Sequence, residues 1–265
     1  MNNLKNKVVW ITGASSGLGK VLAQQCALQG AEVILTARRI DELEKVRQTL
    51  IHPDQHICVS ADITNESQIL HAYEQVLKLK GRIDWLINNA GLSQRALIAD
   101  TSMHTERAIM EVDYFSQVFL TKTVLPTFLK QKSGRIVFVS SVAGLLGTQY
   151  RASYSAAKAA IHMWANSLRA EVAEQGVAVS VVFPGFVKTN VSFNALDGQG
   201  KPQGHQDEAI ENGLEPEEFA KIVVSALLKE HEYIVVGGAK EKLGVLISRL
   251  SPKTLYKMIR KAKVK

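Results

Sequence analysis

A doubly wound α/β fold, three layers with a parallel sheet between two sets of helices, is what this sequence predicts. Short, continuously apolar, β-branched runs alternate with longer stretches whose apolar residues recur at three- and four-residue spacing. The first run leads straight into a glycine-rich turn, Thr12-Gly13-Ala14-Ser15-Ser16-Gly17-Leu18-Gly19, and then into a helical period. The chain has 265 residues, 46% apolar and 22% charged, with no linker or repeat, which suits one domain with a full core.

The elements follow in order. Residues 8–12 read as the first strand and 17–29 as the helix that the glycine turn opens. Residues 33–36 are a strand and 41–50 a helix; 57–60 a strand and 66–80 a helix; 83–88 a strand, followed by a long helical period over roughly 105–132. Strands at 135–140, 177–183 and 233–236 bracket helices at 152–175 and 216–230. Each strand is apolar without alternation, as strands covered on both faces are.

One connection is long. From Pro184 to Glu215 the chain carries glycines at 185, 198, 200, 204 and 213 among Asp, Asn and Gln, with little periodicity. It leaves the carboxyl end of a strand, where open α/β sheets bind ligands, so a substrate lid is expected at about 185–214.

Charge divides the chain unevenly. Residues 240–265 hold nine basic side chains against Glu241 alone, a net +8, so of the total +7 the first 239 residues carry −1. A near-neutral body over 1–239 and a basic tail over 240–265 are expected. Residues 1–7 are short and polar and lead into no signal-peptide core, and no apolar run approaches the roughly 20 residues that span a bilayer. Cys26 and Cys58 are too few for a disulfide framework, which fits a reducing compartment. The expectation is a soluble, cytoplasmic protein, at most peripheral at a membrane surface. None of the seven histidines has metal-site spacing, so no metal is expected.

The glycine turn lets backbone approach a pyrophosphate, whose charge the free N–H groups of a helix start stabilise. It lacks the spacing of G-x-G-x-x-G. It is not a phosphate-binding loop of ATPases either, because Ala14 stands where that pattern needs glycine and Val21 follows Lys20. Tyr154 and Lys158 lie four apart on a helical period, hence on one face, and an ammonium beside a phenol favours the phenolate. Such a tyrosine can act as a general acid/base.

Taken together, Gly13, Gly17 and Gly19, the run Asn88-Asn89-Ala90-Gly91, Ser141 thirteen residues before Tyr154-x-x-x-Lys158, and Pro184-Gly185 resemble the short-chain dehydrogenase/reductase family from about residue 5 to 237. Within it, Thr36-Ala37-Arg38-Arg39, Val124-Leu125-Pro126 and Leu168-Arg169-Ala170-Glu171 are most similar to the 11β-hydroxysteroid dehydrogenase-like group. The resemblance implies a Rossmann-like domain that moves hydride between nicotinamide and a carbonyl or alcohol carbon. Tyr154 would handle the proton, Ser141 would bond the substrate oxygen, and Lys158 would also hold the nicotinamide ribose. It implies cofactor contacts from Gly13, Ser15, Ser16, Gly17, Leu18 and Gly19. Further contacts would come from Asp62 and Ile63 beside adenine; from Asn89, Ala90 and Gly91 beside the ribose; and from Pro184, Gly185, Val187 and Thr189 over the carboxamide.

The sequence departs from the family where a catalytic asparagine usually stands. Counting back from Ser141 reaches Asp113, which accepts hydrogen bonds but cannot donate when ionised. Pairing with Lys158 would offset the lysine's charge and move the activity optimum to higher pH; a buried or capping carboxylate without catalytic effect is the alternative. At the end of the second strand Ala37 replaces the acid that binds a ribose 2′-hydroxyl, and Arg38 follows, so NADP(H) is expected over NAD(H).

Leu92, Leu145, Leu146, Phe186, Val191 and Phe193 suggest a small lipophilic ketone or secondary alcohol as partner. A 3-oxoacyl-carrier-protein-type ketoreductase and a non-catalytic NADP-binding sensor or scaffold are the alternatives. The tail shows apolar stripes, Leu243, Leu246, Ile247 and Leu250, then Leu255, Met258 and Ile259, opposite basic residues. This suits an interfacial helix on anionic lipid, or packing on the body or a second subunit. Tyr256 is the sole aromatic in that stretch, so nucleic acid is not an expected partner. The long helices from Thr105 and Ala152 match surfaces through which relatives form homodimers or homotetramers.

Overall fold

The computed structural model describes residues 3–261, Lys261 by its backbone only. Seven strands form one sheet: β1 Val8–Thr12, β2 Glu32–Ala37, β3 Ile57–Ser60, β4 Trp85–Asn88, β5 Gly134–Val139, β6 Val177–Pro184 and β7 Tyr233–Val236. Their order is β3-β2-β1-β4-β5-β6-β7, and every pairing is parallel. The fold class read from the sequence is the one observed. Between β1 and β4 the order reverses direction, which opens a crevice at the carboxyl ends of the strands.

Alternation along the strands feeds two apolar layers. Val9 and Ile11 of β1 face one side with Val33 and Leu35, and meet α1 (Gly17–Leu28), α2 (Ile40–Arg47) and α8 (Pro216–Leu228). Val8 and Trp10 face the other side with Ile34 and Leu86. That layer meets α3 (Glu66–Lys80), α5 (Ser116–Gln131) and α6 (Ala152–Val172). Buried strands without polar alternation therefore have helices to cover both faces.

The expected helix over 105–132 differs from what forms. It is α4 (Met103–Met110), a π-helical stretch Glu111–Phe115, and then α5. The wider turn, common at functional sites, breaks the α-helical period within which Asp113 falls. Asp113 is completely buried, while Phe115 two residues on is exposed.

The connection after β6 contains a short helix, α7 (Glu208–Glu211), and is held by isolated backbone bridges, Gln94 with Leu196, Val187 with Leu214 and Leu196 with Pro202, together with side-chain bonds. Beyond β7 come α9 (Ala239–Leu250) and α10 (Pro252–Lys261). Among the described residues no helix is long and apolar enough to cross a membrane.

Candidate active site

The turn from β1 into α1 folds tightly against the exit of β4. Gly13 has φ +65°, and a Cβ there would lie 2.8 Å from Ala90 Cα; a Cβ on Gly19 would strike the Gly13 carbonyl. Glycine is the residue that fits both positions. Thr12 Oγ1 accepts from the backbone N–H groups of Asn89 (3.1 Å) and Ala90 (3.2 Å), and Asn89 Nδ2 donates to Thr12 O (2.9 Å). Ser16 caps α1 without its hydroxyl bonding the first-turn N–H groups. These close approaches leave a bare-backbone cradle at a helix N-terminus, and the residues present fit a dinucleotide pyrophosphate.

Around that cradle, Arg38 is exposed at the end of β2. The Asp62 carboxylate accepts from Thr64 N (3.0 Å) and Thr64 Oγ1 (2.8 Å), an Asx turn that leads toward α3; Ile63 is half-buried beside it. Thr189 approaches Gly17, 3.7 Å from where its Cβ would be, so the segment after Pro184-Gly185 reaches over the cradle. Gly185 itself lies against Glu241 of α9, and Val187 is buried.

Ser141 follows β5 and caps a single helical turn, its Oγ accepting from Ala143 N (3.1 Å) and donating to Pro184 O (3.4 Å). Tyr154, half-buried, and Lys158, buried, lie one turn apart on α6. The Lys158 Nζ lies 5.7 Å from the Tyr154 ring centre and donates to Val139 O at 3.1 Å. Gly144, close behind Ser141, has its missing Cβ 2.7 Å from the Lys158 carbonyl carbon, so the Ser141 loop packs directly on α6.

Asp113 joins this group. Its Oδ1 lies 3.5 Å from Lys158 Nζ and accepts from Leu92 N at 2.9 Å; Oδ2 is buried without a hydrogen-bond partner among the described residues. Burial pushes the carboxyl up to about 6, against the opposing pull of Lys158 and the Leu92 N–H. Gly91 is obligatory beside it: a Cβ there would sit 2.7 Å from Asp113 Oδ1 and 3.0 Å from Lys158 Nζ.

Sequence reasoning missed three contributors. Thr12 was read as part of the glycine turn but given no role, although its hydroxyl organises the Asn89-Ala90 backbone. Gln117 Nε2 donates to Ala90 O (3.2 Å) from α5. Most consequential is a buried cluster: Arg95 Nε and Nη2 both lie 2.6 Å from Asp207 Oδ2, and Arg151 Nη2 lies 3.2 Å from the same oxygen. It fastens the connection after β6 to the loop after β4 and to the start of the Tyr154 helix. Burial and the neighbouring Arg95 lower Arg151 to about 10. Arg95 and Asp207 are 112 residues apart, so only the fold could reveal the pair.

Of the apolar residues expected to face substrate, Leu92 packs with Tyr154 and Leu196 in one small cluster. Phe186 lies under the Arg151 guanidinium at 5.9 Å, Leu146 lies against Gly244, and Val191 and Phe193 are exposed at 38% and 46%.

Comparisons with known proteins agree with this arrangement. Residues 7–199 match the family described as short chain dehydrogenase. The chain is 39% identical over 269 residues to a Drosophila melanogaster protein named dehydrogenase/reductase SDR family protein 7-like, covering all of this chain and 82% of that one. A short-chain dehydrogenase from Streptomyces avermitilis superposes with TM-score 0.82 at 30% identity, over 96% of this chain and 97% of that one. A Burkholderia cenocepacia short chain dehydrogenase solved in complex with NADP gives 0.81 at 26% identity, over 98% and 100%. One from Burkholderia phymatum in complex with NAD gives 0.84 at 24%, over 99% of both. With a dinucleotide cradle at the switch point, serine, tyrosine and lysine gathered at the strand ends, and these matches along its length, the chain belongs to the short-chain dehydrogenase/reductase family of oxidoreductases.

Proposed function

We propose that this chain is an NADP(H)-dependent oxidoreductase that interconverts a lipophilic ketone and its secondary alcohol, with Tyr154 as general acid/base. The observation that carries the reading is the meeting of Ser141, Tyr154 and Lys158 beside the glycine cradle. Bound nicotinamide would supply or accept the hydride. Tyr154 then gives the proton to the substrate oxygen in reduction and takes it in oxidation. Ser141 donates a hydrogen bond to that oxygen, and the Lys158 charge stabilises the phenolate left on Tyr154.

NADP(H) is favoured by Arg38 following Ala37, where a guanidinium can form charge-assisted bonds to a 2′-phosphate. Leu92, which packs with Tyr154 around Leu196, favours an apolar substrate body. Asp113 belongs to the proton path, where its ionisation tempers Lys158. The test is NADPH consumption across a panel of carbonyl compounds. Turnover that prefers lipophilic ketones and NADPH over NADH is expected; comparable or better kcat/KM with NADH would contradict the cofactor assignment.

A further inference from the structure

We propose that α9 and α10 form an interfacial face that seats this protein on an anionic lipid surface, beside the loop that carries Ser141. The two helices are fastened to that side of the body. Glu241 accepts from Phe186 N (3.3 Å), Gly244 meets Leu146, Val245 and Leu255 are buried, and Arg249 lies 4.6 Å over the Tyr233 ring. A cavity of about 590 Å³ runs between the pair and the Ser141 loop, with Leu145, Gly147, Ser248, Leu255, Ile259 and Arg260 on its walls.

Helical spacing then fixes what faces outward. On α9, residues 241, 244, 245 and 248 share the face turned to the body. The opposite face carries Leu243, Leu246 and Leu250, exposed at 52%, 52% and 75%. Lys242 and Arg249 flank this stripe on one side and Lys240 on the other. On α10, Leu255 and Ile259 turn inward, while Lys253 and Lys257 fall at i and i+4 on the exposed face and Arg260, exposed at the edge of the cavity, follows at i+7. The only acid of the segment, Glu241, is engaged with the Phe186 backbone, so the outer surface is apolar leucine bordered by cations.

An apolar stripe with a cationic border is complementary to a bilayer surface, whose headgroups take the charge and whose acyl boundary takes the leucines. A second copy is a poorer occupant, because a two-fold contact through this face would set the same cations against themselves.

The test is co-sedimentation of the full chain with vesicles of phosphatidylcholine alone and of phosphatidylcholine mixed with phosphatidylglycerol. Binding to the mixed vesicles at least ~10-fold tighter than to neutral ones, weakened by salt, is expected. The exposed triple variant Lys253→Glu/Lys257→Glu/Arg260→Glu should lose that preference. Leu246→Ser/Leu250→Ser should be released at lower salt than the parent. No binding, equal binding to both lipids, or a charge-reversed variant that binds like the parent would overturn the proposal. So would a concentration-dependent dimer abolished by the leucine changes, which would give the face to a second copy. The readout is binding, so failure here leaves the oxidoreductase reading intact.

Discussion

Asp113 shows how one side chain can reset a shared site. Its folded proton affinity is raised to about 6 from the ordinary 3.8, so the folded chain binds that proton more tightly than the unfolded chain does. Its contribution to stability therefore falls as pH rises through this interval, by about 3 kcal/mol in all, and stays low above it. Asp113→Asn should remove that fall, seen as a smaller loss of unfolding free energy between the two ends of the interval in urea titrations. The same replacement removes a carboxylate that offsets Lys158, so the activity optimum should move to lower pH. An unchanged pH–rate profile would show Asp113 to be a structural carboxylate only. Ser141, Tyr154, Lys158 and even the Asp113 departure were legible in the sequence, because a family pattern spaces them along the chain: Asp113 in the helical stretch before β5, Ser141 just after β5, and Tyr154 and Lys158 on one helix. Thr12 was not, because its role lies in accepting two backbone N–H groups from the turn after β4, far along the chain.

At the scale of elements, strand positions were readable because burial on both faces leaves continuous apolar runs, whereas the break in the long helix was not. Residues 105–131 keep helical spacing throughout, and nothing in the composition of Glu111–Phe115 announces a π-helical turn. The connection after β6 is governed by chemistry that sequence patterns do not carry. Asp207 is the carboxylate between two buried guanidiniums, so Asp207→Asn leaves both without it and should destabilise the fold by about 3 kcal/mol. Replacing Arg95, Arg151 and Asp207 together with apolar residues should recover much of that loss. Denaturant titrations check both, and a single variant as stable as the parent would show that the cluster holds nothing in place.

For the whole molecule, seven parallel strands bring residues from 12 to 189 to one edge, and the reversal between β1 and β4 determines where a dinucleotide can lie. Cofactor choice belongs to this scale, since β2 ends at the exposed Arg38, which the proposed function sets against a 2′-phosphate. Arg38→Ala should raise the KM for NADPH about 10- to 100-fold and change NADH little; equal effects on both would mean that Arg38 does not read the phosphate. The phenol of Tyr154 is the group on which the proposed chemistry turns. The most direct test is NADPH consumption by Tyr154→Phe against the parent on the best ketone of a panel, with NADPH affinity measured in parallel. Loss of at least ~100-fold in kcat with cofactor binding retained is predicted, whereas undiminished turnover by the phenylalanine variant would contradict the account.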